Sequence, residues 1–281
     1  MGQKVNPTIF HLGLINSEYN SKYLAKNKNE STLFLYKDLE IKNYIDRIFE
    51  LYGFITQTVK IDYSGTKIKI FIKIYKQLNK KKFENIPLKT QNSSKKLIIF
   101  IINNYIFTSL SFYLKRKNFE FKIQNLNEKF KNKFLKNRKE IRYYKTGIKR
   151  FRRFTKKNLY NKYYIQNRNF VKAILISIYE NNSAKIIAKI IAEYLKKRKK
   201  RQFYIFSILK TVIRYGLKSK YSNIKGFKLA VKGRLNGRPR AKKFLLQLGQ
   251  ISVTSFNSNI NYVEKTAYTS NGTFGIKIWI C

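Results

Sequence analysis

Between Lys67 and Ile74 every second residue is isoleucine: Ile68, Ile70, Ile72 and Ile74 alternate with Lys67, Lys69, Phe71 and Lys73. Successive side chains of a strand point to opposite faces, so this run predicts a strand with one apolar and one largely basic face. The pattern returns twice near the end. Phe227, Leu229 and Val231 alternate with Lys228 and Ala230, and Lys232 continues the outward face; Ile276, Ile278 and Ile280 alternate with Lys277 and Trp279. The basic faces belong to a wider imbalance. Lys plus Arg number 61 and Asp plus Glu 14, so the formal charge is 61 − 14 = +47. Self-repulsion at that charge calls for a polyanion partner. Hydrophobic residues still make up 43% of the 281 residues, which is material for a core and excludes a simple disordered basic tail.

The residue menu is rich in Lys, Asn, Ile, Tyr and Phe, and Met1 is the only methionine. These are residues with A/T-rich codons, a bias frequent in organelle genomes. Met1–Gly13 (MGQKVNPTIFHLG) has neither an apolar signal core nor an Arg-rich amphipathic stretch, so a protein working in an organelle is expected to be made there. Cys281 is the single cysteine, which leaves no internal disulfide and no cysteine-based metal site. Leu97–Leu114 is uncharged over eighteen residues, at the lower limit for crossing a bilayer. Asn103 and Asn104 near its middle favour a buried helix or one packed on a partner.

Residues 1–29 read as a polar arm. Asp38–Tyr52 carries a helical apolar face (Leu39, Tyr44, Ile45, Ile48, Phe49, Tyr52) stopped by Gly53. Strands are expected at Ile55–Ile61 and Ile68–Ile74. Residues 77–169 read as an insertion: the apolar segment, then a basic stretch that includes Lys145–Lys157 (KTGIKRFRRFTKK) and is expected to order on RNA. Order resumes with a strand at Val171–Ile178. A helix from Ala184 to Leu195 is N-capped by Ser183. Six basic residues follow, Lys196, Lys197, Arg198, Lys199, Lys200 and Arg201. A second helix spans Gln202–Tyr215 and is ended by Gly216, and short strands are expected at Gln250–Ser255 and Tyr262–Thr269. Two helices followed by a mainly antiparallel sheet make the C-terminal part an α+β domain with the helices on one face.

Catalysis finds little footing. His11 is the only histidine and lies in the arm, so no nucleophile–His set can be assembled around it. Gly233-Arg-Leu-Asn-Gly237 lacks phosphate-loop spacing and reads as a turn between strands. The basic constellation is the stronger signal. Residues 225–243 contain Lys225, Lys228, Lys232, Arg234, Arg238, Arg240, Lys242 and Lys243 and no acid, and Gly233, Gly237 and Pro239 constrain the backbone. Arg pairs bidentately with phosphate and Lys adds point charge. Such contacts bind strongly and salt-sensitively without reading sequence.

GQKVNP followed after three residues by HLG, Gly233-Arg-Leu-Asn-Gly237, Arg238-Pro-Arg-Ala-Lys-Lys243, and Ala267–Ile280 (AYTSNGTFGIKIWI) occur here in one order. Together they resemble the family of the third protein of the small ribosomal subunit, over about residues 1–76 and 171–281. The Arg-Pro-Arg-Ala-Lys-Lys run, the central expansion and the codon bias resemble its mitochondrial branch. The resemblance implies a KH-like (type II) domain over 30–178, interrupted by the insertion at about 77–169, and a C-terminal α+β domain over 179–281. It implies a structural, non-enzymatic role without cofactor, metal or small-molecule substrate. The implied partners are small-subunit ribosomal RNA, bound by Lys4 and the 225–243 cluster; messenger RNA where it enters the subunit, met by Lys196–Arg201; and the neighbouring head proteins numbered ten and fourteen. The implied location is the mitochondrial ribosome.

Three positions depart from the family pattern. Lys76–Lys82 (KQLNKKK) has no glycine where a Gly-x-x-Gly loop is usual, and His11 stands where Arg is usual. Gln202, Phe203 and Phe206 fall on the positions of an Arg-Arg-x-x-Lys cluster that faces messenger RNA in bacterial members. Two readings from other classes fare worse. A maturase or nuclease needs paired acidic metal ligands, which the matched regions lack, and a membrane-associated basic protein would rest on Leu97–Leu114 alone.

Overall fold

The structure is a computed structural model. It describes residues 5–10, 21–63, 67–76, 94–114, 119–126, 171, 173–174, 177–178, 183–197, 202–218, 224–256 and 258–281. The chain forms two compact units, residues 18–126 and residues 1–17 with 127–281. The elements in order are α1 (Pro7–Phe10), β1 (Ser21–Lys22), α2 (Lys28–Leu51), β2 (Phe54–Tyr63), β3 (Ile68–Lys76), α3 (Ser94–Leu114), β4 (Phe119–Asn125), α4 (Ala184–Lys197), α5 (Phe203–Leu217), β5 (Gly226–Gly233), β6 (Lys242–Gly249), β7 (Asn261–Thr269) and β8 (Gly272–Ile280).

In the unit of residues 18–126 the strand order is β1-β2-β3-β4. The alternation of β3 is realised: Ile68, Ile70, Ile72 and Ile74 are buried, with Ile61 and Val59 of β2 beside them. From α2, Ile41, Ile45, Ile48 and Phe49 enter the same core, spaced as one helical face. The helix starts ten residues before the sequence expectation. Its first turns expose Leu33, Leu35, Tyr36 and Leu39, so no inward stripe announces them, and Leu39 is a surface residue rather than a core one. Glu30 accepts from the Lys26 backbone N–H at 2.8 Å and anchors the start. Buried Asp38 accepts from Lys42 Nζ at 2.6 Å and from Ser21 Oγ at 3.0 Å, which ties β1 to α2. Part of the expected arm therefore belongs to the sheet.

The expected insertion also needs correction. β4 lies parallel to β3, with Ile68 opposite Phe119 and Ile74 opposite Asn125. Parallel neighbours need a crossover, and the chain between them contains α3. Ile106 and Leu110, one turn apart, sink into the core under the sheet, so the apolar segment is a packed helix. The folded unit thus extends to Leu126, and the rest of the expected basic extension, 127–169, lies outside the described residues. α3 hid because it is apolar nearly all round, and β4 because its alternation sits inside a basic run.

In the second unit the sheet order is β6-β5-β8-β7, antiparallel throughout. Phe227, Leu229 and Val231 stand opposite Ile280, Ile278 and Ile276, and all six are at most 1% exposed. α4 packs on β7 and β8, and α5 lies against β6. Ile186, Ile187, Ile190, Ile191 and Leu195 line the buried side of α4; Ile205, Ile208, Leu209, Val212 and Ile213 line that of α5. α1 belongs here too, with Phe10 stacked on Phe256 at 4.5 Å.

Four local expectations fail. The described residues of 171–178 are helical rather than a strand; Val171, Ala173, Ile174 and Ile178 are all buried, and a short apolar run does not reveal its period. Ser183 Oγ is buried and makes no capping bond among the described residues. α5 runs through Gly216, whose missing side chain makes room for Ile178: an added Cβ would lie 3.2 Å from it. The expected strand at 250–255 is a loop closed by Ser258 Oγ, which donates to the Ser252 and Ser255 carbonyls, and the strand is instead β6.

Candidate nucleic-acid interface

β5 and β6 are joined by a tight connection in which Leu235–Gly237 forms a single 3-10 turn, as the turn reading of Gly233–Gly237 expects. Gly233 has φ +153, and a Cβ there would meet the Phe274 ring at 2.3 Å. Asn236 sits in the left-handed region at φ 57, ψ 23, which Asn tolerates better than most residues. Leu235 is buried and plugs the loop into the sheet. Arg234 Nε donates to the Arg238 carbonyl at 3.0 Å, closing the loop on itself.

The sheet separates the expected basic constellation. Arg234, Arg238 and Arg240 are exposed on the loop, and Lys242 and Lys243 are exposed at the start of the edge strand β6. Lys232 and Lys243 are directly opposite in the β5–β6 ladder. Like charges placed so are destabilising unless an anion lies between them. Lys225 precedes β5 at the far end of the same strand, where its backbone N–H donates to the Cys281 carbonyl at 2.7 Å. Lys228 points to the sheet face away from the helices, with Nζ 5.4 Å from the centroid of Trp279. These two do not join the loop cluster. Residues 194–263 contain no Asp or Glu at all.

Lys196 and Lys197 are exposed at the end of α4, where Lys197 meets Glu193 at 3.5 Å. Lys4, His11, Arg198, Lys199, Lys200, Arg201 and residues 77–82 lie outside the described residues. The three residues at the family's Arg-Arg-x-x-Lys positions are scaffold here. Gln202 is 0% and Phe206 2% exposed, and Phe203 is half-buried. Phe206 stacks on Phe244 at 4.4 Å, Phe203 lies edge-on to both, and Arg238 sits over the Phe203 ring at 5.7 Å.

One contact has no counterpart in the sequence pattern. The Gln202 backbone N–H donates to Asn236 Oδ1 at 2.7 Å, and the Asn236 backbone N–H donates to Gln202 Oε1 at 2.8 Å. This reciprocal pair links the start of α5 to the basic loop across thirty-four residues. No local pattern signals such a pairing.

On the outer face Glu264 accepts from Lys277 at 2.6 Å and from the Tyr262 hydroxyl. These bonds hold its carboxyl below the ordinary 4.5, while burial, and then its bond to Glu264, push the Tyr262 phenol up. Ionised Glu264 therefore supports the fold above about pH 4.5, and that support is lost as pH falls through its lowered folded value. Glu264→Gln is expected to flatten the acid limb of a stability-versus-pH curve. An acid limb identical to the parent's would show that the contact is inert.

Residues 191–280 match the family described as ribosomal protein S3, C-terminal domain. Small ribosomal subunit protein uS3 of Neorickettsia sennetsu is 35% identical over 100 residues, which cover 36% of this chain and 44% of that protein. Small ribosomal subunit protein uS3c of Emiliania huxleyi is 31% identical over 110 residues, 39% of this chain and 47% of that one. Small ribosomal subunit protein uS3 of Phytoplasma vitis is 28% identical over 109 residues, 39% and 42% of the two chains. The match spans less than half the length of these relatives. It takes in α5, the clamped basic loop and all four strands of the second sheet, and through this region the chain is similar to the C-terminal domain of ribosomal protein S3.

Proposed function

We propose that the chain is a structural, non-catalytic constituent of the mitochondrial small ribosomal subunit, encoded in the organelle and held in the subunit head by ribosomal RNA. The observation that carries this reading is the facing pair Lys232 and Lys243, flanked by exposed Arg234, Arg238, Arg240 and Lys242 in an acid-free region. RNA phosphates are the ligand such a cluster fits. The unit of residues 18–126 is proposed as the KH-like (type II) domain. Its antiparallel β2–β3 pair and the parallel β4 reached through α3 support that assignment. Head proteins numbered ten and fourteen are its proposed protein neighbours.

In this reading the protein sediments with small-subunit RNA until high salt or magnesium removal strips it. Sedimentation with membranes, or free of RNA at low salt, would overturn the proposal. Lys196–Arg201 is proposed to line the path where messenger RNA enters, since a polyanion is attracted there without its bases being read. Replacing Lys197, Lys199 and Lys200 by Gln is expected to weaken engagement of long messengers while leaving subunit assembly nearly intact. An assembly defect with normal messenger binding would assign these lysines to ribosomal RNA instead.

A further inference from the structure

With the loop given to ribosomal RNA and the α4–α5 junction to messenger RNA, the two stand as separate sites. The Gln202–Asn236 pair argues otherwise. Both side chains are spent on backbone groups of the opposite element, so the loop tip and the start of α5 move as one body. Gln202 is fully buried, and its two short bonds lie where solvent competes little. Arg238 is fixed to the same body through Phe203, and Phe203 through Phe206 and Phe244. Lys197 is five residues from Gln202. A fully extended chain covers at most about 3.6 Å per residue, so Lys197 lies within about 18 Å of the clamp. No acid interrupts the chain between Lys197 and Arg240.

We propose that Gln202 and Asn236 are positioning residues that fuse the basic loop and the end of α4 into one composite site for a single RNA strand. Arg234, Arg238, Lys196 and Lys197 then engage successive phosphates of the same backbone, and the polar clamp sets their spacing. The residues at the family's charged positions on this helix hold neighbouring charges in place instead of supplying charge themselves. The inference rests on the RNA-binding reading but predicts something that reading does not: loss of RNA binding from two substitutions that remove no charge.

The test uses the full chain and a short oligouridine, titrated over salt. Asn236→Gly keeps a backbone that tolerates positive φ and removes the acceptor; Gln202→Met keeps the volume and removes the other half of the clamp. Each is expected to lower the salt slope by about 1.4, two phosphate contacts at about 0.7 each for a single strand, and affinity near physiological salt by about tenfold. Arg238→Gln serves as the charge control. Loss with Arg238→Gln but full binding by both clamp variants would overturn the composite site and leave the RNA reading standing. Full binding by all three would overturn both. A measurement on the unaltered chain guards against misfolded variants. One oligouridine should protect Lys196 and Lys197 from acylation and Arg238 from glyoxal at the same half-saturating concentration; two distinct concentrations would sink the proposal.

Discussion

Replacing Arg234, Arg238, Arg240, Lys242 and Lys243 together by Gln is expected to abolish most of the salt-sensitive affinity for small-subunit RNA. Each phosphate contact contributes about 0.7 to 0.9 to the slope of log K against log salt, so five contacts should remove about 3.5 to 4.5 from it. Affinity near physiological salt should fall by roughly a thousandfold. The folded state should change little, because relief of Lys243 facing Lys232 across the β5–β6 ladder offsets the lost Arg234–Arg238 loop bond and the lost Arg238–Phe203 contact. This pairing of weaker binding with undiminished stability separates an RNA-contacting cluster from a structural one. A salt titration with a head-domain RNA fragment, run beside a denaturant melt, reads both. An unchanged slope would mean that these side chains face water or protein in the assembly.

Ile278→Ala is the largest expected stability loss. Ile278 is 0% exposed, with Leu229 on one side in β5 and Val263 on the other in β7, and α4 packs on both β7 and β8. Truncating it removes transfer free energy and leaves a cavity, a loss of about 2–5 kcal/mol. In a domain of this size that lowers Tm by at least about 8 °C. Lys277→Ala, one residue earlier on the opposite face, removes a surface ion pair with Glu264 and should cost about 1 kcal/mol or less. A larger loss at Lys277 than at Ile278 would show that the sheet faces are inverted.

The contrast between those neighbours is legible in the amino-acid order alone, because a half-buried strand writes its two faces into alternate residues. The same logic exposes the cores of α4 and α5, whose isoleucines and leucines recur at helical spacing. It fails where apolar residues are not confined to the buried face. α3 is apolar around most of its circumference, so its inward pair, Ile106 and Leu110, does not stand out. The run 171–178, whose described residues are helical, is too apolar to show a period in the sequence. β6 misleads because its burial alternates while its residue types do not: Leu245 is exposed between half-buried Phe244 and buried Leu246. For the candidate site, residue types and spacing point to the cationic loop, but not to its division between two ends and two faces of a sheet. The clamp between Gln202 and Asn236 stays hidden because a polar pair thirty-four residues apart has no periodicity at all.

The position of β5 has a consequence for how the protein comes off the machine that makes it. β5 is an inner strand, and one of its two partners is β8, which pairs Phe227 with Ile280. The hairpin with β6 can form as soon as Gly249 has emerged, yet Phe227, Leu229 and Val231 then lack the strand that covers their flank. Gly233 lacks the Phe274 ring that its bare backbone is shaped to meet. Some fifty residues must be looped out before that gap closes, which puts the slow step late in elongation. Synthesis therefore imposes a sequence: the arginine loop acquires its final shape only after β8 is made, and nascent chains stalled before Phe274 would carry its charge without its geometry.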